Sequence, residues 1–364
     1  MASLLGCGML GKPGAGTLGQ VDAGPSVKVG VSTVVIPSER ASKWADARCN
    51  DGSPFGMNVS MAKPASDLWV IKVGGGFFCD DGLVPCSERK ELLTTGPGKK
   101  DGALSPMLQI GLHSRDKALN PDFHDANHVV LQYCSSDFWL GEKTKRQKTS
   151  GSSKGWYFSG RRNFDAALSV LQEEMGMTDG VARVLIGGHS AGGMGVVGNV
   201  PLIQQYLSKS IATDNVKIIV DGVWLPKPAN LDESPTWNKW GDLNNGCTKE
   251  ADKNGTDRNY CHFGEEWYPY LKKSGIPVLI QQSSLDPTAK SVYGFQGFKA
   301  TKEWRELCRS SFAGVDWLFT GGKPYHTATF DAEFTQGDKG KTFQQVVSRF
   351  WRGEEPERVF FDYQ

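Results

Sequence analysis

Almost no net charge separates the two signs in this chain: 41 Lys and Arg stand against 40 Asp and Glu, leaving +1. That balance removes the usual reason to expect nucleic acid, a polyanion or a charged membrane surface as partner. Long apolar runs are missing as well. None approaches the roughly 20 residues needed to cross a bilayer, so no membrane span is expected. No CxxC pair occurs, and zinc ligation wants close, repeated spacing, so no metal is expected. Nothing repeats internally, so a repeat architecture is not indicated. The first ten residues lack a basic n-region and a convincing apolar h-region. No signal peptide is evident, and the start is read as trimmed or incomplete.

Cysteine, by contrast, is present as an even set of eight: Cys7, Cys49, Cys79, Cys86, Cys134, Cys247, Cys261 and Cys308. Cys79 and Cys86 bracket a short Gly- and Pro-containing loop, and Cys247 and Cys261 bracket a polar one. Either pair can close a disulfide in an oxidising compartment. Two N-x-S/T sequons, at Asn58 and Asn254, agree with secretion and glycosylation but are short enough to arise by chance. Cysteine usage therefore places the chain in the secretory pathway, against the missing signal peptide.

The 364 residues suffice for one large α/β domain or two small ones. Residues 1–26 are Gly-rich and aperiodic and read as a flexible arm, with 27–364 as one catalytic domain. Gly6 to Gly11 matches GxGxxG by letter, but no strand precedes it, so it is not a nucleotide site. Val27–Ile36 suggests a short hairpin. Apolar runs then recur at 68–73, 129–133, 181–186, 216–220, 276–280 and 315–319. Unbroken apolarity of this kind marks strands buried on both faces. Helical patterns lie between them: Phe158–Met175 with Gly176 as its stop, Pro201–Ser208, Ala300–Cys308 and Lys341–Trp351. The alternation predicts a largely parallel, doubly wound sheet with helices on both faces. Residues 142–154 read as a polar, lysine-rich solvated loop. Residues 229–270, rich in Trp, Asn, Asp and Gly, are long enough for an insertion or cap over the active site.

The chemistry gathers around Gly188-His189-Ser190-Ala191-Gly192, which follows a strand and precedes a helical segment. In a G-x-S-x-G turn the glycines allow a tight reversal, and the serine hydroxyl stands at a helix N-terminus where negative charge is favoured. A serine needs a base oriented by a carboxylate. If the chain order is serine, acid, histidine, two histidines qualify, His262 and His326. His326 follows the last strand, whereas His262 lies in the irregular insertion, so His326 is the expected base. Asp286 stands just beyond the 276–280 strand and is fixed by Pro287. Its rival Asp316 lies inside a strand pattern. Oxyanion donors are expected at the amides of Ala191 and of Gly76 and Phe77, because Gly74-Gly75-Gly76 after a buried strand lets backbone approach a ligand.

Four blocks of residues in this order resemble the pectin acetylesterase/Notum family: Gly74-Gly75-Gly76-Phe77-Phe78-Cys79 with Cys86, Tyr133 to Trp139 (YCSSDFW), Gly160-Arg161-Arg162, and Gly188 to Gly193. The likeness runs from about residue 65 to 351. It implies an α/β-hydrolase fold and a cofactor-free carboxylic ester hydrolase with Ser190, Asp286 and His326 as triad and Gly76, Phe77 and Ala191 as oxyanion donors. Plant and microbial members of this family remove acetyl groups from pectin, and the animal Notum branch removes a palmitoleoyl group from a signalling protein. Phe77 stands where the family has Trp, and the surroundings of His326 lack the family's cysteines. The expected partner is thus an O-acylated substrate: an acetylated polysaccharide such as pectin first, a lipidated protein or lipid second. A different class, a catalytically silent carbohydrate-binding homologue, would use Trp224, Trp237, Trp240 and Trp267 to stack on sugars. Oligomeric state and acyl length are not encoded legibly.

Overall fold

The computed structural model describes residues 32–35, 42–79, 81, 84–89, 110–177, 182–208, 211–227, 247–292, 297–321, 324–335, 337–338 and 340–360. The expected arm at 1–26, Trp237, Trp240 and most of the expected insertion's first half lie outside these residues. In chain order the elements are β1 (Ser32–Val35), β2 (Gly56–Ser60), β3 (Leu68–Val73), β4 (Asn127–Leu131), β5 (Gln147–Thr149), β6 (Ser152–Trp156), α1 (Gly160–Glu173), β7 (Arg183–His189) and α2 (Ala191–Gly198). There follow α3 (Val200–Ile203), β8 (Val216–Asp221), α4 (Cys247–Asn254), α5 (Gly264–Lys273), β9 (Val278–Gln281), α6 (Pro287–Val292) and α7 (Gly297–Ser311). The chain closes with β10 (Trp317–Thr320), β11 (Gly337–Asp338), β12 (Lys341–Thr342), α8 (Phe343–Arg352) and β13 (Arg358–Phe360).

Nine strands form one sheet in the order β1-β2-β4-β3-β7-β8-β9-β10-β13. From β4 to β13 all neighbours run parallel, while β2 is antiparallel to both β4 and β1. Successive side chains feed two separate cores. In β3, Trp69, Ile71 and Val73 join a cluster with α1, α2 and α5, whereas Leu68 and Val70 join Leu112, Phe123 and the α8 residues Phe343, Val346, Val347 and Phe350. Strands β7, β8 and β9 divide in the same way, which is why they read as largely apolar runs, Lys217 of β8 being an exception. Each fully buried Val, Leu or Ile is worth about 2 kcal/mol, so these strands anchor the loops at their ends.

Residues 27–31 and 36 of the expected hairpin lie outside the described residues; in the part that is described, β1 pairs with β2, Ser32 opposite Val59. The polar segment 142–154 contains the β5–β6 hairpin rather than an unstructured loop. Helix α8 begins after Thr342, whose side chain accepts from Gln345 N while the Gln345 side chain accepts from the Thr342 amide, a reciprocal cap. Gly353 ends it at φ 71°. Asn58 is buried within β2, so its sequon is not presented to a glycosyltransferase in the folded chain; Asn254, ending α4, is exposed. No helix among the described residues is long and apolar enough to cross a membrane.

Among the described residues three disulfides are formed: Cys79–Cys86, Cys247–Cys261 and Cys49–Cys134. The last joins positions 85 apart in sequence and was not read from spacing. Cys308 is a buried free thiol.

Candidate active site

Ser190 sits between β7 and α2 at φ 52° and ψ −130°, a left-handed setting that a serine tolerates only where neighbours fix it. Its amide donates to the Asp221 carbonyl at 2.9 Å, and its own carbonyl accepts from Gly193 N at 2.8 Å. The flanking glycines are obligatory for close approach. A Cβ at Gly188 would fall 2.2 Å from the Gly192 oxygen, and one at Gly192 would fall 2.0 Å from the Val73 oxygen. Every residue of α2 is buried, and Gly195 lets the Trp139 indole lie against the helix, so small residues along this helix serve packing.

Asp286 follows β9 and is wholly buried. Its carboxyl group accepts from Thr288 N at 2.8 Å, Ala289 N at 3.2 Å, Gln282 Nε2 at 2.9 Å and His326 Nδ1 at 2.8 Å. The first two are opening amides of α6, so the side chain caps that helix while it orients the imidazole. Burial disfavours the His326 imidazolium, but the hydrogen bond and charge of Asp286, helped by Asp221 and Asp331, outweigh it and hold the pKa above the ordinary histidine value. With its Nδ1 proton directed at Asp286, the ring keeps its lone pair at Nε2. That nitrogen is buried and makes no hydrogen bond to the described residues.

Opposite lies the glycine-rich segment after β3. Gly76 and Phe77 have φ of 146° and 56°, and neither amide, nor that of Ala191, has a backbone acceptor among the described residues. The segment is tied from several sides. Gly75 N donates to His189 Nε2 at 3.2 Å, Trp139 Nε1 donates to the Gly74 oxygen at 2.8 Å, and Arg89 donates to the Gly76 oxygen. His189 can accept in this way because burial, then the charges of Lys72 and His326, hold its pKa well below the ordinary value. Trp139 is itself placed by a loop in which Ser136, Phe138 and Trp139 all have positive φ. Asp137 anchors that loop by accepting from Ser135 Oγ, Trp139 N and Gly160 N. Burial raises the Asp137 carboxyl to about 6 despite those bonds.

Ser190, His326, Phe77 and Ala191 line one cavity of about 50 Å³, with Phe138, Met194, Val223, Leu225, Thr288 and Ala289 among its other walls. The lining is mostly apolar, and Phe77 at its mouth is 42% exposed. His262, set aside in the sequence because no strand end fixes it, lines the same cavity. The Cys247–Cys261 bridge beside it and the packing of Phe263 and Trp267 hold it there. Burial takes its pKa down to about 3, so it is neutral. Asp316 stands away from the cavity, half exposed and paired with Lys272 at 2.8 Å. Trp224 and Trp267 are buried against each other with ring centroids 5.2 Å apart, which removes them as sugar-stacking platforms. Two groups went unnoticed in the sequence, Lys72 in β3 and Asp221 at the end of β8, both buried. Their signal was available: each is a lone charge closing an otherwise apolar strand half.

A family model described as Pectinacetylesterase matches residues 28–316. The palmitoleoyl-protein carboxylesterase NOTUM of Drosophila melanogaster is 28% identical over 312 residues, which are 79% of this chain and 44% of that protein. Pectin acetylesterase 5 of Arabidopsis thaliana is 26% identical over 260 residues, 70% of this chain and 57% of that protein. The chain thus spans about half the length of the curated relatives it matches. The solved structure of the Wnt deacylase Notum from Drosophila superposes with a TM-score of 0.71 at 25% identity, covering 85% of this chain and 90% of that one. The architecture is accordingly α/β-hydrolase-like.

Proposed function

The chain belongs to the pectinacetylesterase family, and from that premise we propose that it is a serine carboxylic ester hydrolase acting on an O-acyl ester. The observation that carries the proposal is the Asp286–His326 hydrogen bond on a cavity that also holds Ser190 at its strained turn. In this reading Ser190 Oγ attacks the ester carbonyl while His326 Nε2 takes its proton. The amides of Gly76, Phe77 and Ala191 receive the oxyanion, each worth about 3 kcal/mol. His326 then gives the proton to the leaving alcohol, and water activated by the same nitrogen releases the acid. Asp286 holds the tautomer and steadies the imidazolium.

The acyl group proposed first is acetyl, carried on a polysaccharide such as pectin. A small cavity of about 50 Å³ beside Ser190 supports a short acyl group over a long one. A longer fatty acyl on a protein or lipid is the second reading, favoured by the apolar lining and by the likeness to a palmitoleoyl-protein carboxylesterase. Three disulfides among the described residues support residence in the secretory pathway. The burial of Trp224 and Trp267 counts against a silent sugar-binding homologue.

Hydrolysis of p-nitrophenyl acetate, butyrate, octanoate and palmitate by the protein and by Ser190→Ala tests the proposal. Loss of about 10⁶-fold in kcat in the variant is expected, with the optimum at acetate. An optimum at octanoate or palmitate moves the second reading to the front. Equal rates for the two proteins sink the esterase assignment.

A further inference from the structure

Asp221 lies at the end of β8, between the strand that leads to Ser190 and the strand that leads to Asp286, opposite His189 on one side and Gln281 on the other. Its backbone carbonyl accepts the Ser190 amide at 2.9 Å. Its side-chain Oδ2 accepts the amides of Ala328 at 2.9 Å and Thr329 at 2.7 Å, two and three residues beyond His326. One residue therefore grips both the turn of the proposed nucleophile and the loop of the proposed base. The next residue presses on the same loop: at Gly222, φ +70°, a Cβ would stand 2.4 Å from the His326 carbonyl oxygen.

Other bonds also hold this loop, among them Asp331 N to the Ala328 carbonyl at 3.3 Å. Thr327 Oγ1 donates to Asp331, and the Thr329 carbonyl accepts from Leu112 N at 2.8 Å. Beneath it Lys72 is buried, its Nζ 4.9 Å from the Phe330 ring centre, and it feels the charges of Asp331 and Asp221. A carboxyl group with no exposure, placed where an alanine or valine would satisfy the sheet, costs several kcal/mol of desolvation, which the hydrogen bonds it accepts offset. Strand β8 gives it no packing reason to be there.

Building on the esterase reading, we infer that Asp221 is a positioning residue: by clamping the Ala328 and Thr329 amides while its carbonyl holds Ser190, it fixes the distance between nucleophile and base. It does not touch substrate. Burial lifts its carboxyl to about 7, and burial brings Lys72 down to about 8, as a buried acid and base sharing one apolar layer should be. The clamp itself needs only an acceptor oxygen.

The test compares the wild-type protein with Asp221→Ala and Asp221→Asn on the best ester, after Ser190-dependent turnover has been established for the wild type. Absence of that turnover would count against the esterase reading and not against the clamp. Asp221→Ala is expected to lose about 100-fold in kcat with KM within about threefold, the penalty of misplacing a reacting group by an ångström. Asp221→Asn keeps an acceptor and should stay within about fivefold. The low-field Nδ1 proton resonance of His326 should persist in the Asn variant and broaden away in the Ala variant, a readout that does not depend on turnover. Should the Ala variant not fold, Asp221→Glu replaces it; the longer side chain keeps charge and acceptor but pushes the loop outward, and the same kcat loss is expected. A folded Asp221→Ala, or Asp221→Glu in its place, with wild-type kcat and an unchanged resonance overturns the inference. So does an Asn variant as damaged as the Ala one, because charge and not the clamp would then be what matters.

Discussion

On one side of the cavity the backbone of Gly74 to Phe78 is held by covalent and aromatic constraint: the Cys79–Cys86 bridge follows it, the Cys49–Cys134 bridge fixes the strand behind Tyr133, and Trp139 donates to the Gly74 carbonyl. On the other side the loop carrying His326 has no disulfide among the described residues. Buried carboxyl groups hold this loop directly, Asp286 through the imidazole and Asp221 through two amides, whereas Asp137 reaches the glycine side only through the loop that carries Trp139. The contrast follows from what each side would supply. Backbone amides meant for an oxyanion need rigid placement and no neighbouring negative charge. A base must gain and lose a proton, and the carboxyl groups beside His326 raise its pKa against the burial that would lower it.

Breaking the electrostatic side should have the largest effect. Asp286→Asn keeps an acceptor for the α6 amides but turns the imidazole to the wrong tautomer, and kcat is expected to fall about 10⁴-fold with the fold intact. Steady-state kinetics on the preferred ester measure it; a loss under tenfold would show that His326 does not depend on this carboxyl. Breaking the covalent side should cost stability first. Replacing Cys49 and Cys134 together by alanine releases a bridge spanning 85 positions, an entropic loss of about 4.6 kcal/mol, read as a lowered urea midpoint. The same change at Cys79 and Cys86, seven apart, should cost about 2 kcal/mol. If the short bridge proves the more costly, loop entropy is not what these bridges contribute.

The smallest effect, and the one that separates the two sides most finely, is the pH profile. Only neutral His326 can take the serine proton, and its pKa lies above the ordinary histidine value. Turnover at subsaturating ester should therefore rise with pH through a midpoint displaced upward, and weaken as acid protonates the ring. Removing the bridge at Cys79 and Cys86 should leave that midpoint in place. A midpoint below the ordinary value would mean that burial, and not Asp286, governs the imidazole.

Much of this was legible because it is local. The glycines around Ser190 are dictated by contacts within one turn and its neighbouring strand, and the apolar runs of β3, β7, β8 and β9 record burial on both faces. The adjacency of Asp286 to a strand end, and of His326 to the next, could be argued from chain order alone. Pairings between distant segments were not readable: β1 with β2, Cys49 with Cys134, and His262 with the cavity each depend on where two remote stretches meet. Lys72 and Asp221 near the ends of largely apolar strands signalled something unusual, but not their partners. Six of the buried strands, the serine turn and the chain order of its proposed partners could be read along the chain, since period, glycine geometry and connectivity are written residue by residue; β2, β13 and the β5–β6 hairpin could not. Which carboxyl groups face one another, which tryptophans are buried and which histidines reach the cavity were decided only by the tertiary structure, because those depend on distances across a sheet that no local pattern carries.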